Sequence, residues 1–495
     1  MLSLVWFPPG GDMVFDSITF IFFFLPIVLS LYFLIPKRYR NTFLIGASLI
    51  FYAWERVMYV IVLLLYMISN YYFGVLIEKY KFSAPETASR KAKTTFVVSL
   101  AFNLGILIIF KYFNFIVANI NSLIEFTGYA FGNPKIHPPI GISFFAFMAV
   151  SYLVDVYRRN VKAQKSIVTF SMYESLFPKL LAGPIVRYRD IELHVNERSV
   201  TLDMFSAGVQ RFILGLGKKV LIANSVAIVA DQIFSMPVAQ LSFSLSWLGA
   251  ICYTIQIYFD FSGYSDMAIG LGKMLGFDFM ENFNYPYISK SIREFWRRWH
   301  ISLSAWLRDY LYIPLGGNRK GPERTFINLL IVFFLCGLWH GANWTFVIWG
   351  LWHGLFLAME RTRFGKTIDS NKSMGVIYTL MVVLIGWVFF RSDTLTYAIS
   401  YLCAMMGLGE GVHSASMFLD LKTILAILLG VVGSTPITEK IKAHLHRAEA
   451  SRTLFSRTFA RSSAILSLAY VYSVFALSVI FISISTYKPF IYFQF

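Results

Sequence analysis

Charge is what this sequence has least of. Asp, Glu, Lys and Arg make up 14% of its 495 residues, against about 25% in soluble domains, while 57% are hydrophobic and 18% aromatic. A soluble fold of this size needs more polar surface than such a chain can supply. Cysteine is scarce too. The three present, Cys252, Cys336 and Cys403, each sit inside an apolar run, which argues against a disulfide framework and against a zinc site. No Walker A sequence, no H-E-x-x-H and no G-x-S-x-G occurs, so ATP hydrolysis, zinc proteolysis and nucleophile-elbow esterase chemistry lack support. No carboxylate pair has a spacing that indicates glycoside cleavage. Matched, glycine-broken half-helices, the usual pointer to a transporter, are missing as well. The repeated Leu-Trp-His-Gly at 338–341 and 351–354 is local and too short for a duplicated fold.

What the chain does have is apolar runs of membrane-spanning length, which takes about 20 residues. They fall at 18–35, 42–54, 59–76, 95–110, 140–157, 220–234, 245–261, 326–338, 344–359, 376–390, 421–432 and 464–485. Several are short enough to be re-entrant, so the expected fold is an all-α, polytopic integral membrane protein of roughly ten to thirteen transmembrane or re-entrant helices. The first run is followed, not preceded, by Lys37, Arg38 and Arg40, and no small-residue cleavage site comes after it, so it reads as a retained helix rather than a signal peptide. Residues 1–12 contain Pro8, Pro9, Gly10 and Gly11 and read as a non-essential extension, with a single membrane domain over 13–495. The formal charge of +17 lies between apolar runs, as the positive-inside rule expects, and not in a nucleic-acid footprint. Basic residues at 37–40, 158–165 and 440–461 mark cytoplasmic loops, which puts the N-terminus outside.

One stretch departs from this pattern. Residues 258–324 turn polar, aromatic and basic between hydrophobic blocks, and ionisable groups in such surroundings are functional candidates. Of eight histidines, five (His137, His194, His413, His444 and His446) lie in loop-like or polar sequence. His340 is different: it ends the apolar run IVFFLCGLWHGANW between glycines. Burial favours a neutral imidazole, which can take a hydroxyl proton or simply bond a neighbouring helix. Gly337 and Gly341 leave room for a substrate, and Asn343 is placed to donate or to orient the ring. His300 lies in IREFWRRWHISLSAWLRDYLY, read as one amphipathic helix with Ile292, Trp296, Trp299, Leu303 and Trp306 on its apolar face. Arg293, Arg297, Arg298 and Arg308 form its basic face. That helix is either an interfacial element or a cation cluster for an anionic cofactor. His353 comes thirteen residues after His340. On one helix they would point roughly 220° apart, so His353 reads as a packing residue. Asp260 and Asp266 line a polar path, bind a histidine or cap a helix break.

The block REFWRRWHISLSAWLRDYLYIPLGGNRKG, followed by GLWHGANWTFVIWGLWHG, resembles the membrane-bound O-acyltransferase (MBOAT) family, in its bacterial alginate O-acetylation branch. Further similar stretches are VFDSITFIFFFLPIVL, PIGISFFAF, FPKLLAGPIVRY, YFDFSGYSDMAIGLGKMLGF and PFIYFQF, so the likeness runs from about Met13 to Phe495. The resemblance implies a ring of tilted helices around a thinned membrane centre, with a tunnel where a cytoplasmic acyl donor meets an acceptor from the other side. It makes His340 the catalytic histidine and His300 its second polar position.

On that basis the expected donor is acetyl-CoA or a similar short acyl thioester, with no metal. Its phosphates need cations, for which Arg293, Arg297, Arg298, Arg308, Arg319 and Lys320 are candidates. His340 acts as general base, and His300 orients or polarises the thioester. His300 or Asn343 supplies the oxyanion donor, with Trp339, Asp260 and Asp266 in supporting positions. The resemblance further implies the bacterial inner membrane and its lipid. A periplasmic SGNH-type acetyltransferase or other acceptor protein is the partner, and a polysaccharide the final acceptor. Two rival readings are a polysaccharide or precursor transporter and a non-catalytic scaffold of a secretion complex.

Overall fold

Each of the twelve apolar runs lies on a helix of the computed structural model. The structure describes residues 13–54, 56–82, 86–133, 135–437, 439–441 and 454–484, and no strand occurs among them. The expected extension at 1–12, the basic residues at 442–453 and the closing stretch at 489–495 lie outside the described residues. Among the described residues, six helices are long and apolar enough to cross a membrane: Val57–Lys81, Ser89–Thr127, Leu202–Phe234, Gly321–His340, Lys372–Arg391 and Ile465–Ile484. Shorter apolar helices are Phe20–Leu34, Ile142–Tyr157, Trp344–Met359, Leu395–Met405 and Leu421–Gly433. Much of their apolar surface has no protein over it. Ile61 is 61% exposed and Leu466 69% exposed, which is tolerable only against hydrocarbon. Helices suit that solvent because their backbone groups are satisfied within the segment. The chain is a multi-pass membrane protein.

Two compact units divide the chain. One comprises residues 1–209 and 268–280, the other 210–267 and 281–495. His300, His340 and His353 and the side chains that touch them belong to the second unit. The relevant helices are α1 (Phe243–Met274), which belongs to this unit as far as Met267, α2 (Ile292–Arg298), α3 (Ile301–Leu307), α4 (Gly321–His340), α5 (Trp344–Met359) and α6 (Lys372–Arg391).

The structure departs from the sequence reading at three places. α1 runs on to Met274, so the first part of the polar stretch is helix and is buried. The apolar helix Leu395–Met405 was not among the expected runs. Most important, the single amphipathic helix through His300 is two short helices. Trp299 is extended (φ −101°, ψ 129°) and His300 is left-handed (φ 42°, ψ 56°). Ile292, Trp296, Trp299, Leu303 and Trp306 are nonetheless all buried. The periodicity found the buried face but not the break within it.

The break is held from a distance. The Asn284 N–H donates to the Arg298 carbonyl at 2.9 Å, and the Ile301 N–H donates to the Asn282 carbonyl at 2.9 Å. The segment at 282–284 thus replaces the intrahelical bonds lost at the kink. A left-handed non-glycine residue costs about 1–3 kcal/mol and persists where its surroundings over-determine it.

Candidate functional site

α4 and α5 form a hairpin whose close approach depends on glycine. A Cβ at Gly350 would lie 2.1 Å from the Phe333 carbonyl oxygen, and one at Gly337 would lie 2.3 Å from the Phe346 carbonyl oxygen. Small residues that let backbones touch are the usual means of packing helices in membranes. The space beside Gly337 and Gly341 is therefore filled by Phe346, whose ring edge would meet a Gly341 Cβ at 2.2 Å. This corrects the expectation that these glycines leave room for substrate. They set the hairpin instead, and so place the residue at the end of α4, which is His340.

His340 is 4% exposed. Its ring lies edge-on to Trp349 of α5 (4.9 Å between centroids, 88°) and to Phe390 of α6 (5.2 Å, 74°). Trp339 contacts it at 4.9 Å. Trp339 also lies against His300, at 6.1 Å. Two histidines forty residues apart are thus brought against one indole. His300 is fully buried, and Phe261 of α1 meets its ring edge-on at 4.7 Å. Its Nδ1 lies 3.2 Å from Asn282 Oδ1. That oxygen also accepts from the Ser302 N–H at 3.2 Å and the Ser302 hydroxyl at 2.9 Å.

The start of α2 is pinned by α5. Glu360, at the C-terminal end of α5, accepts from the N–H groups of Ile292 and Arg293, the latter at 3.0 Å. A buried carboxylate on these unsatisfied amides suits the positive end of a helix. Ser291 caps the same turn by accepting from the Glu294 N–H.

The other candidates are placed as follows. Asn343 caps α5: its Oδ1 accepts from the Thr345 N–H at 3.2 Å and its Nδ2 donates to the Asp393 carbonyl at 2.9 Å. Asp260 is paired with Lys219 at 2.5 Å, and Asp266 with Arg211 and Lys218, both at 2.6 Å. Their ion-pair partners are cations of one helical segment rather than histidines. Arg298 bonds Glu294 and the Asn284 carbonyl. Arg308 pairs with its neighbour Asp309 at 2.7 Å, and Arg293 lies 4.0 Å from Glu360. Arg297, Arg319 and Lys320 are exposed. His353 is fully buried, stacks on Phe295 (6.0 Å, 9°) and accepts from Trp296 Nε1 at Nδ1.

Sequence reasoning missed Asn282, Phe261, Trp349, Phe390 and Glu360. Only Asn282 and Phe261 lay in the stretch that was singled out, and neither carries a periodic or motif signal of its own.

The described residues form a helical membrane protein that buries two histidines against one tryptophan. Comparison with known proteins places it. The sequence model of the membrane-bound O-acyltransferase (MBOAT) family matches residues 122–390. A probable alginate O-acetylase, AlgI, of Azotobacter vinelandii is 43% identical over 98% of this chain and 100% of its own length. Its counterpart in Pseudomonas aeruginosa is 45% identical over 80% of this chain and 76% of its own. A peptidoglycan O-acetyltransferase of Helicobacter pylori is 34% identical over 80% of each chain. The chain belongs to the MBOAT family and is an acyltransferase that draws on an acyl donor.

Proposed function

We propose that this enzyme takes an acetyl or similarly short acyl group from a cytoplasmic acyl thioester, such as acetyl-CoA. The group crosses the bacterial inner membrane for O-acetylation of an exopolysaccharide such as alginate. The observation that carries the reading is the burial of His300 and His340 against the same indole, Trp339. The near full-length likeness to an alginate O-acetylase supports the acyl group and the polymer. The N-terminus faces the periplasm, because the basic residues after the first helix hold that end in the cytoplasm. The direct acceptor is a hydroxyl, and a periplasmic SGNH-type acetyltransferase or acceptor protein relays the group to the polymer.

In this reading an acceptor hydroxyl gives its proton to His340, and its oxygen attacks the thioester carbonyl carbon. The carbon–sulfur bond breaks, and the departing thiolate takes the proton from the imidazolium. Exclusion of water by Trp339, Trp349 and Phe390 protects the acyl group from hydrolysis. The exposed Arg297, Arg319 and Lys320 remain free of the internal pairs that occupy Arg298 and Arg308, which suits them to the phosphates of a donor.

Transfer of radiolabelled acetyl from acetyl-CoA by the purified protein, with and without a candidate periplasmic acceptor, tests the proposal. Wild type transfers label, and His340→Ala loses it at unchanged protein level. Retained transfer in that variant removes His340 from the chemistry. No transfer by folded wild type to any acceptor removes the proposed donor.

A further inference from the structure

One buried oxygen determines which nitrogen of His300 carries its proton. Asn282 Oδ1 lies 3.2 Å from the Ser302 backbone nitrogen, which can only donate. The amide therefore presents oxygen, not nitrogen, on this side. The same oxygen lies 3.2 Å from His300 Nδ1. An unprotonated Nδ1 would set lone pair against lone pair, and the Ser302 hydroxyl, 3.4 Å from the same nitrogen, gives its hydrogen to Asn282 Oδ1 at 2.9 Å, so Nδ1 carries the hydrogen and donates it. A neutral imidazole has a single N–H, which leaves Nε2 with a lone pair. His300 Nε2 is buried and has no hydrogen-bond partner among the described residues. An open acceptor in a dry interior is costly unless a ligand meets it.

We infer that Asn282 is a positioning residue: it holds His300 in the Nδ1–H tautomer, so that Nε2 meets the substrate as a hydrogen-bond acceptor for an O–H or N–H group. His300 in this form has no proton facing the site with which to steady an oxyanion or polarise a thioester carbonyl. That reverses the part expected for it from sequence. The backbone supports the assignment. Asn282 also accepts the Ile301 N–H at its carbonyl, so a single residue fixes both the left-handed turn at His300 and the proton on its ring. The arrangement follows the logic by which a third group orients a catalytic imidazole in hydrolytic triads. The inference rests on the acyl-transfer reading of the same site, but the tautomer can be measured without it.

The experiment has two arms. In the first, full-length protein carrying 15N-histidine is compared with His300→Gln, and the missing signals report the His300 nitrogens. The expected spectrum shows a protonated Nδ1 and a bare Nε2; a protonated Nε2 overturns the proposal. In the second, kcat and KM for acetyl-CoA are measured for wild type, Asn282→Ala and Asn282→Asp. Asn282→Ala is expected to lose about 10- to 100-fold in kcat, the usual cost of removing a group that orients a reactive imidazole, with KM nearly unchanged. Asn282→Asp, which still accepts both N–H groups, should recover most of that loss. Full kcat in Asn282→Ala overturns the proposal. So does Asn282→Asp as slow as Asn282→Ala while unfolding at the wild-type temperature. If wild type transfers no label, the proposed function fails, and the nitrogen spectrum still decides the tautomer.

Discussion

His300 shows what burial does to a single titratable group. It lies in the break between two short helices, outside the candidate spans, and burial pushes its imidazole down to about 3. An unfolded chain binds a proton there near pH 6.5, whereas the folded one does not. Stability from this group is therefore intact above about pH 6.5 and is lost as pH falls from there towards 3, by about 2 kcal/mol at pH 5. Thermal unfolding of the detergent-solubilised protein should become less stable across that window, and His300→Gln should flatten the fall. An equal acid sensitivity in the variant would assign the loss to other groups. Glu360 offers a second check at this scale. Glu360→Ala leaves the N–H groups of Ile292 and Arg293 without their acceptor, at a cost of about 1–3 kcal/mol. Its midpoint should fall clearly below that of Glu360→Gln, which keeps one carbonyl acceptor.

At the scale of elements, the hairpin of α4 and α5 sets His340 against α6. Gly350→Ala would drive a methyl group into the Phe333 carbonyl oxygen, and neither backbone can give way without parting the helices. The expected result is loss of most acyl transfer together with a lower unfolding midpoint. Gly46→Ala is the matching control, because a Cβ there meets nothing within 4 Å. It should leave both quantities unchanged or raise the midpoint slightly, since alanine is the better helix former. A Gly350→Ala protein with wild-type transfer would show that the hairpin tolerates a wider spacing. The two copies of Leu-Trp-His-Gly were visible as letters, but that the glycines just before them, Gly337 and Gly350, face each other came only with the pairing of the two helices. The kink at His300 was hidden for a related reason. Helical periodicity records which side chains are buried, and both halves of the broken helix bury the same kinds of residue.

At the scale of the whole second unit, an ion pair is held inside while most charged side chains stay at the surface. Lys219 and Asp260 are both almost fully buried, and Arg211 joins Asp266 to Glu281. Removing one member of a buried pair leaves an uncompensated charge, so Lys219→Met should cost about 3–5 kcal/mol. Lys219→Met with Asp260→Leu should recover most of that, since an apolar pair of similar volume replaces the ions without an orphan. Denaturation midpoints of the three proteins measure the difference. A double variant no better than Lys219→Met would mean that Asp260 has other indispensable partners.

The sequence by itself determined the class of the protein, the location of its apolar helices and the singularity of His340. Each follows from composition or from patterns confined to about twenty neighbouring residues, the length over which a helix meets the bilayer. Only the tertiary structure decided that His300 and His340 meet the same indole, Trp339. It alone placed Asn282 on the His300 ring and Glu360 on the start of α2. These contacts join residues 18 and 68 positions apart. Hydrogen bonds of that kind depend on where folded helices stop and turn, which no local periodicity encodes.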